Sequence, residues 1–396
     1  MSETAAPPRS PTAEAAGPPV TVRPVRSSTD RARFLDFVYD HYAESPHYVP
    51  PLRMDQKNVL DPKKNPFFEH GAVELFLAER GGALVGRIAA IENGQHLAKY
   101  ADGVGFFGFF ETVEDYAVAE ALLDAAAGWL RERGLTGVRG PANPTMNDVC
   151  GLLVGGFDRP PSILLPYNPP YYEAYLEQYG FTRAMTAWAF YVHEAYINSE
   201  RMARGAEIVR RRNPGVRVRS LDPARFEEEV ATAMAIYNEA WAGNWGHVPY
   251  TDREAQHLAK ELKPVIEEDL FLFAELDGKP VAFAASIPNL NRALKKLPRG
   301  RLLPTGLAKL LATVKAGGLY EIRMPLMGIL PAHRNLGLDA LLIHHTIVNG
   351  RRDGYEAAEL SWVLDVNKPL VNALEKLGCA RDKEYAMFEM ELGTEG

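Results

Sequence analysis

The stretch that decides the fold is GILPAHRNLGLDALLIHHT, residues 328–346. An apolar run ends at Pro331, a short basic turn follows, and an amphipathic pattern resumes after Gly337. This order predicts a strand, a turn and the start of a helix. Backbone N–H groups converge where such a turn meets a helix, and such places bind phosphate. The stretch also holds Asp339, whose carboxylate falls in the first helical turn and could cap the helix instead.

The composition is that of a globular protein with more than one domain. The chain has 396 residues, 46% of them hydrophobic and 24% charged, which favours about two to three domains. The formal net charge of −7 argues against a broad nucleic-acid-binding surface, so we expect no nucleic-acid partner. Cys150 and Cys379 lie far apart and lack metal-ligand spacing, so we expect neither a metal site nor a disulfide framework.

The first 19 residues are rich in Pro, Ala and Ser and contain no apolar signal core. They predict a disordered tail. No stretch of the sequence is long and apolar enough to span a bilayer. We therefore expect a cytoplasmic protein, and a peripheral position at the inner membrane surface stays open.

One order of strands and helices occurs twice after residue 19. The first copy has a strand from Val20, a helix, a hairpin at 73–92, a strand at 106–112, a helix at 115–133 and an alternating strand at 181–193. The second has a strand from Val216, a helix, a hairpin at 271–287, a strand at 319–330, the helix of the opening stretch, a strand at 357–366 and the alternating strand KEYAMFEMEL. The displacement is 196 residues between the first strands and 198 between the helix-ending Gly180 and Gly378. A nearly constant displacement indicates duplication.

The duplication predicts an α/β (α+β) fold of two tandem domains, each a mixed sheet flanked by helices. We place the domains at 20–200 and 214–396, with the boundary in RGAEIVRRRNPG at 204–215. Charged segments with Pro and Gly are typical of domain boundaries. We expect each domain to close with its own alternating strand.

Each half resembles the GNAT superfamily of N-acyltransferases, in which a turn of the form Arg-x-x-Gly-x-x joins the fourth strand to a helix. The matching turn here runs from Arg334 to Asp339 and includes Asn335, Leu336, Gly337 and Leu338. The resemblance implies that acyl-CoA is the co-substrate, without a metal. It also implies that Met327 and Ile329 offer backbone groups to the pantetheine arm, and that Asn367 contributes to cofactor binding.

The turn suits a pyrophosphate on physical grounds. Gly337 permits a close approach of the backbone, the N–H groups of 335–339 lack helical partners, and Arg334 adds a full positive charge. Asp339 departs from the Gly or Ala of the family, and we expect its side chain to point away. The first half carries Glu111, Glu114 and Asp115 at the equivalent place, which would repel phosphate, so we expect one acyl-CoA site, in the second half.

Acyl transfer to an amine requires a base, because an amine with a pKa near ~10.4 is mostly protonated at neutral pH. Glu359 is our first candidate and Glu321 the second. Strand alternation places Glu359 on one face with Ser361 and Val363, and we expect Ser361 and Arg323 to contact the acceptor. Glu321 and Arg323 share a face with Met327 only if the strand stays regular through Pro325, which otherwise marks a bulge. The alternative for each glutamate is a solvated face or an ion pair with an arginine.

Another departure from the family is Leu374, four residues before the glycine that ends the last helix. Many GNAT enzymes have a tyrosine there that protonates the leaving thiolate. Because a thiol has a pKa of only ~8.5, the thiolate can leave unaided.

The basic, leucine-rich segment at 289–318 is longer than a compact acetyltransferase requires. It contains seven basic residues and no acid: Arg292, Lys295, Lys296, Arg299, Arg301, Lys309 and Lys315. Such a segment suits an anionic membrane surface, or a lid over an apolar chain. A helix packed on its own domain is the alternative.

The segment at 140–172 is rich in Pro, Gly, Asn and aromatic residues. Asn143, Asn147, Tyr167 and Asn168 could converge on a polar head group. The alternative is ordinary turn chemistry at each position.

This segment, together with FFGFFE at 106–111 and SWVLDVN at 361–367, resembles a double GNAT-like family that includes the bacterial ceramide synthases. The resemblance implies transfer of a long acyl group from acyl-CoA to the amine of a sphingoid base. Two other functions stay open from the residues: acylation of an amino acid or small amine, and non-catalytic binding of acyl-CoA or lipid. The sequence does not determine the oligomeric state.

Overall fold

A computed structural model describes residues 18–393 of the chain. The predicted disordered tail at 1–19 therefore lies almost entirely outside the described residues.

Two successive groups of elements follow the predicted order. The first group contains β1 (Val20–Pro24), α1 (Ser28–His41), α2 (Arg53–Val59), β2 (Gly71–Arg80), β3 (Ala83–Asn93), α3 (Gly94–Tyr100), β4 (Val104–Thr112), α4 (Tyr116–Glu132), β5 (Gly137–Gly140), β6 (Ala142–Asn143), β7 (Val149–Cys150), β8 (Leu152–Gly155), α5 (Tyr171–Tyr179) and β9 (Thr182–His193). The second contains α6 (Ser199–Arg212), β10 (Val216–Ser220), α7 (Phe226–Ala240), α8 (Asp252–Leu262), β11 (Phe271–Leu276), β12 (Lys279–Pro288), α9 (Asn291–Leu294), α10 (Gly306–Lys315), β13 (Glu321–Ile329), α11 (Leu338–Arg352), β14 (Ala357–Leu364), α12 (Lys368–Lys376) and β15 (Ala380–Glu391).

The two halves share one continuous mixed sheet. Its strand order is β1-β2-β3-β4-β5-β15-β9-β14-β13-β12-β11-β10, and β8 also pairs with β15. The predicted tandem α/β architecture with helices on the sheet is confirmed. The expectation that each half closes with its own last strand is wrong, because β9 pairs with β14 of the second half and β15 pairs with β5 of the first.

This exchange of last strands joins the halves at the centre of the sheet, where β9 and β15 pair along most of their length. Both strands alternate in hydrophobicity and both are central, so local pattern allows either strand to complete either half. The sheet of residues 20–200 therefore continues into β15, and the sheet of residues 214–396 continues into β9.

Helices cover both faces of the second half of the sheet. On one face, α11 and α12 pack on an apolar cluster that includes Leu272, Met324, Leu341, Leu360 and Leu374. On the other, α7 and α8 pack on a separate cluster with Phe271, Phe273 and Phe283. Neighbouring strand residues alternate between the faces, so this division fixes which side chains meet at the site.

Candidate active site between strands β13 and β14

A slot opens in the sheet where β13 and β14 separate. The two strands are parallel and pair from Glu321 with Ala357 to Met324 with Leu360, after which the paired register ends. A bulge contributes to this divergence: Leu326 lies opposite Ala285 and Arg323 opposite Ile287, so that two residues of β13 face one of β12. A bulge bends a strand and locally interrupts its pairing.

The bulge also determines which residues of β13 share a face of the sheet with Met327. Met324 belongs to the apolar cluster under α11, and Met327 packs against the same cluster. Arg323 therefore lies on the opposite face from Met327. The bulge at Met324 and Pro325 supplies the extra residue that shifts the alternation.

Backbone groups of β13 line the slot beyond Met324. The Leu330 N–H donates to the carbonyl of Val281 on β12 at 3.0 Å, so by alternation the backbones of Met327 and Ile329 point away from β12, towards the slot. The Met327 carbonyl accepts a hydrogen bond from Trp241 Nε1 at 3.0 Å. Sequence reasoning missed Trp241, which follows α7 directly.

The predicted phosphate-binding turn has the expected backbone. Residues Pro331–Leu336 form a 3-10 turn, Gly337 adopts a left-handed conformation with φ of 76°, and α11 begins at Leu338. In the part of the chain that the structure describes, no side chain caps the start of α11. Within residues 18–393, Asp339 forms no hydrogen bond or salt bridge through its carboxylate, so the capping alternative has no support from its contacts.

Helix α6 packs beside this turn. A Cβ atom on Gly337 would lie 2.8 Å from Val209 Cγ2, and Asn213 Nδ2 donates to the Leu336 carbonyl at 3.2 Å. The last turn of α6 carries Arg210, Arg211 and Arg212. These arginines lie between Val209 and Asn213, which contact the turn, and Arg210 Nη2 lies 2.8 Å from His345 Nε2 of α11. Their sequence alone had indicated only a domain boundary.

Arg334 of the turn is exposed, and its Nη2 donates to the carbonyl of Ala240 at the end of α7 at 2.5 Å. This bond holds the guanidinium group beside the turn. An arginine has five N–H donors, so others remain available to an anion.

Glu359, Arg323 and Ser361 form a buried polar cluster on the face opposite α11. Ser361 Oγ donates to Glu359 Oε1 at 2.8 Å and accepts from Arg323 Nε at 2.9 Å. Arg323 Nε lies 3.9 Å from Glu359 Oε1. The three side chains belong to residues that are 5%, 6% and 3% exposed. Sequence alternation correctly placed Glu359 and Ser361 together, whereas Val363 lies on the α11 face because the register with β9 shifts between Leu360 and Val363.

Burial raises the pKa of the Glu359 carboxyl above its ordinary value, with Arg323 and Ser361 opposing the shift. A carboxyl whose pKa is moved towards neutrality is better suited to take a proton than an exposed one. The raised pKa suits the predicted general base, and the contact with Arg323 also fits the alternative of an ion pair with an arginine.

Glu321, the second candidate base, lies on β13 two residues before Arg323, which pairs with Glu359 of β14. Its carboxylate accepts from Tyr191 OH at 3.2 Å and from Asn289 Nδ2 at 3.1 Å. It faces no arginine at salt-bridge distance among the described residues. Glu321 is thus part of a hydrogen-bonded network at the edge of the cluster.

A segment of the first half covers the cluster of the second. The Ile163 carbonyl accepts from Arg323 Nη1 at 2.7 Å, and the Ile163 N–H donates to Asn289 Oδ1 at 3.1 Å. Lys383 Nζ donates to the Gly156 carbonyl at 3.0 Å, and burial lowers the pKa of this lysine to about 8. Residues 156–163, which we call the cover segment, therefore close the Glu359 face of the slot.

The four residues expected to converge on a head group bond to four different sets of partners. Asn147 bridges Val248 and Tyr237 of the second half, Asn168 bonds to both backbone groups of Leu153, and Tyr167 OH accepts from Ser45. Asn168 ties its own segment together, whereas Asn147 and Tyr167 join this segment to distant parts of the chain. Local turn chemistry therefore does not account for the contacts of Asn147 and Tyr167.

Asn143 has a distinct position, inside the slot of the first half. Its Oδ1 accepts from the Phe109 N–H of β4 at 2.6 Å. A Cβ on Gly108 would collide with the Ala142 carbonyl. Strand β4 pairs with β5 only from Val104 to Phe106, so the space where these strands diverge is filled by residues 142–143, and the first half has no open equivalent of the second slot.

Two further predicted positions have clear contacts. Asn367 caps α12, its Oδ1 accepting from the Leu370 N–H at 3.4 Å. Leu374 is fully buried in the cluster under α12, where the family tyrosine would place a hydroxyl.

Comparison with known proteins gives two close relatives across almost the whole chain. A bacterial ceramide synthase of Caulobacter vibrioides (strain NA1000 / CB15N) is 37% identical over 384 residues, covering 94% of this chain and 98% of that protein. Protein YghO of Escherichia coli (strain K12) is 32% identical over 377 residues, covering 94% of this chain and 95% of that protein. No protein-family model matches the chain.

Among solved structures, a tandem GNAT protein from the clavulanic acid biosynthesis pathway is similar with a TM-score of 0.57. It is 12% identical, and the match covers 95% of this chain and 100% of that chain. This likeness concerns the fold alone. Across residues 18–393, none of the helices combines the length and apolar character needed to cross a bilayer.

Proposed function

The chain belongs to the family of tandem GNAT-like acyltransferases that contains the bacterial ceramide synthase of Caulobacter vibrioides, and we propose that it transfers a long-chain acyl group from acyl-CoA to the amine of a sphingoid base. It is an acyl-CoA-dependent N-acyltransferase. The acceptor we propose is sphinganine or 3-oxosphinganine. The observation that carries the proposal is the slot between β13 and β14, which has the left-handed turn at Gly337 at one end and a buried carboxylate on one face.

Binding of the donor would use the backbone and cationic groups around the slot, although the Met327 carbonyl already accepts from Trp241. The N–H groups from Asn335 to Asp339 would hold the pyrophosphate, assisted by Arg334 and by the positive end of the α11 dipole. The backbone of Met327 and Ile329 would contact the pantetheine arm. The arginines at the end of α6 supply further positive charge for the nucleotide phosphates.

The chemistry follows from the carboxylate on the opposite face. The amine nitrogen attacks the thioester carbonyl carbon, its proton passes to Glu359, the C–N bond forms and the C–S bond breaks. Ser361 and Arg323 position Glu359 through the contacts described above. With Leu374 at the position of the family tyrosine, CoA leaves as the thiolate, which its pKa of ~8.5 permits.

Access for the acceptor has to pass the cover segment. Ile163 and Gly156 hold this segment against Arg323 and Lys383, so the amine reaches Glu359 from beneath or beside residues 156–163. Apolar residues of the same region, including Phe157 and Leu165, pack near Tyr385. This setting suits an acceptor whose amine is attached to an apolar chain.

We also propose that the 289–318 segment contacts an anionic membrane surface. Leu307, Leu311 and Val314 of α10 are exposed along one side, and Leu303 precedes them. Lys309 and Lys315 lie on the same helix, and the segment has no acidic residue. Exposed apolar side chains with flanking cations are typical of helices that lie in the membrane interface.

Other parts of the same segment are fixed to the first half. Arg299 pairs with Asp40, and Lys295 donates to the Pro46 carbonyl. The segment is therefore anchored at its start and presents α10 outwards. These contacts lie outside α10, so a helix packed on its own domain stays the alternative for α10.

Activity is tested with purified protein, palmitoyl-CoA and sphinganine or 3-oxosphinganine. We expect release of free CoA, followed with a thiol reagent, and formation of the amide, identified by mass spectrometry. Arg334→Glu should raise the KM for acyl-CoA at least tenfold, whereas Arg217→Glu, an exposed charge reversal on β10, should not. Absence of CoA release with every amino lipid would refute the proposal, and faster turnover of acetyl-CoA with amino acids would favour a small-amine acceptor.

Membrane contact is tested by flotation with vesicles of anionic or neutral phospholipid. We expect co-flotation with anionic vesicles that is lost in Leu307→Glu and Leu311→Glu. Binding that is unchanged in both variants would contradict the role of α10.

A further inference from the structure

An apolar cavity lies beneath α11 on the face of the sheet opposite Glu359. It has a volume of about 50 Å³, several times the ~10–15 Å³ that one water molecule needs by this measure. Its inner wall is formed by aliphatic side chains of α11, α12, β13 and β14. The hydroxyls of Ser286 and Thr346 reach it and have no hydrogen-bond partner among the described residues. The neighbouring polar cluster uses none of these groups.

One end of the cavity coincides with the start of the slot. Met324 and Leu360 form the last pair before β13 and β14 separate, and both side chains line the cavity. Leu374 lines it as well. A group held in the slot between the strands would therefore enter the cavity directly on the α11 side.

The cavity then follows one stripe of α11. Ile343, Thr346 and Gly350 line it, and positions spaced three, four and seven residues apart share one side of a helix. From Ile343 to Gly350 the helix rises roughly 10 Å. The cavity is thus elongated along the helix and suits a segment of hydrocarbon chain better than a compact ligand.

An ion pair stands at the far end. Arg351 Nε lies 3.0 Å from Glu194 Oε2, and Arg351 Nη2 donates to the Glu194 carbonyl at 3.0 Å. Both residues line the cavity next to Gly350. A Cβ on Gly350 would have only ordinary contacts, at 3.8 Å from Ile322 and Tyr355, so this glycine leaves space that a larger side chain would fill.

We propose that this cavity binds the hydrocarbon chain of the acyl donor next to the thioester, and that Gly350 and the Arg351–Glu194 pair select chain length. The inference rests on the acyl transfer proposed above and assigns a separate place to each substrate. The acyl chain lies on the α11 face, the amine approaches from the Glu359 face, and the thioester lies in the slot between them. Each buried methylene should change kcat/KM about fourfold.

The test compares kcat/KM for acyl-CoAs from octanoyl-CoA to stearoyl-CoA with one sphingoid base. Gly350→Ala should shift the optimum by about one carbon towards shorter chains, and Gly350→Leu by about three to four, since leucine occupies the volume of that many methylenes. Arg351→Ala should instead raise the rate with the longest chains. The matched control is Val348→Leu, on the same helix but exposed, which should leave the profile unchanged.

Thermal melting separates a change of preference from misfolding. Gly350→Ala should keep or raise the melting temperature, because alanine is a better helix former than glycine. An unchanged acyl-chain profile in folded Gly350→Leu would overturn the inference. So would a shift that follows the chain length of the sphingoid base, which would assign the cavity to the acceptor. If the wild type acylates no base with any donor, the proposed function fails instead.

Discussion

Glu359→Gln separates a base from a counterion within the buried cluster. The substitution keeps the shape of the side chain and an acceptor for Ser361 Oγ, which lies 2.8 Å from the carboxylate, but removes the charge that takes the amine proton in the proposed reaction. Loss of a general base lowers kcat ~10²–10⁴-fold. The Kd for CoA should stay within a factor of about two, because the hydrogen bonds and ion pair of Glu359 among the described residues involve Ser361 and Arg323 and not the predicted phosphate-binding turn.

The free energy of unfolding of Glu359→Gln gives a second measurement, independent of kcat. Removing one partner of a buried ion pair costs ~3–5 kcal/mol. The expected loss is at the low end, since Arg323 Nε is 3.9 Å from Glu359 Oε1 and Arg323 keeps its bonds to Ile163 and Ser361. Chemical denaturation followed by fluorescence measures this change, and a steady-state assay with palmitoyl-CoA and sphinganine measures kcat.

The double variant Arg323→Gln/Glu359→Gln decides between the two roles. It removes the uncompensated arginine charge, so the free energy of unfolding should recover towards the wild-type value. If Glu359 is the base, kcat stays low; if Glu359 serves only to balance Arg323, kcat recovers with stability. Recovery of kcat in the double variant, or more than a tenth of wild-type kcat in Glu359→Gln, would refute the assignment. Glu321→Gln, measured in parallel, tests the second candidate.

Three further predictions concern the turn, the base and acid stability. Gly337→Ala should destabilise the fold by ~1–2 kcal/mol, because φ is 76°, and should weaken CoA binding in calorimetry. Adding Val209→Ala should restore only the part of the stability that is lost through the 2.8 Å contact. Full restoration of CoA binding would contradict the role of the backbone. Ser361→Ala removes a hydrogen bond that lowers the pKa of Glu359, so the acidic limb of the pH profile of kcat/KM should move to higher pH, and a shift to lower pH would be inconsistent with Glu359 as base. Burial lowers the pKa of His247 from 6.5 to about 4. Between these pH values the unfolded chain binds a proton that the native state does not, so stability should fall as the pH drops from 6.5 to 4. His247→Gln should make the melting temperature depend less steeply on pH in this range.

The sequence predicted the repeated elements because each depends on local patterns. The hairpins of β2 with β3 and of β11 with β12, the helix after Asp115 and the turn at Gly337 all carry their own signals: turn residues, a cap and a change of period. The pairing of Glu359 with Ser361 on one face followed from strand alternation in the same way.

The exchange of β9 and β15 could not be predicted from such patterns. An alternating strand specifies which of its faces is buried, but not which of two similar sheets it joins. For the same reason the cover segment was missed: Ile163 and Gly156 reach Arg323 and Lys383 through main-chain carbonyls, and a backbone contact leaves no signature in residue type.

The bulges on the two slot strands had only a weak signal. Pro325 marked one, but the shift between Leu360 and Val363 depends on the register with β9, a strand that comes from the other half. The asparagines of the 140–172 segment have residue types suited to ligand binding, but Asn143 accepts a hydrogen bond from the backbone N–H of Phe109. Residue type alone does not distinguish these two roles.

A crystal structure with a non-hydrolysable palmitoyl-CoA analogue tests the central claim most directly. We expect the pyrophosphate oxygens within hydrogen-bonding distance of the backbone N–H groups of Gly337 to Asp339, and the pantetheine arm between β13 and β14. A diphosphate bound elsewhere on the protein, or an Asp339 carboxylate turned into the 331–337 turn in its place, would contradict the account.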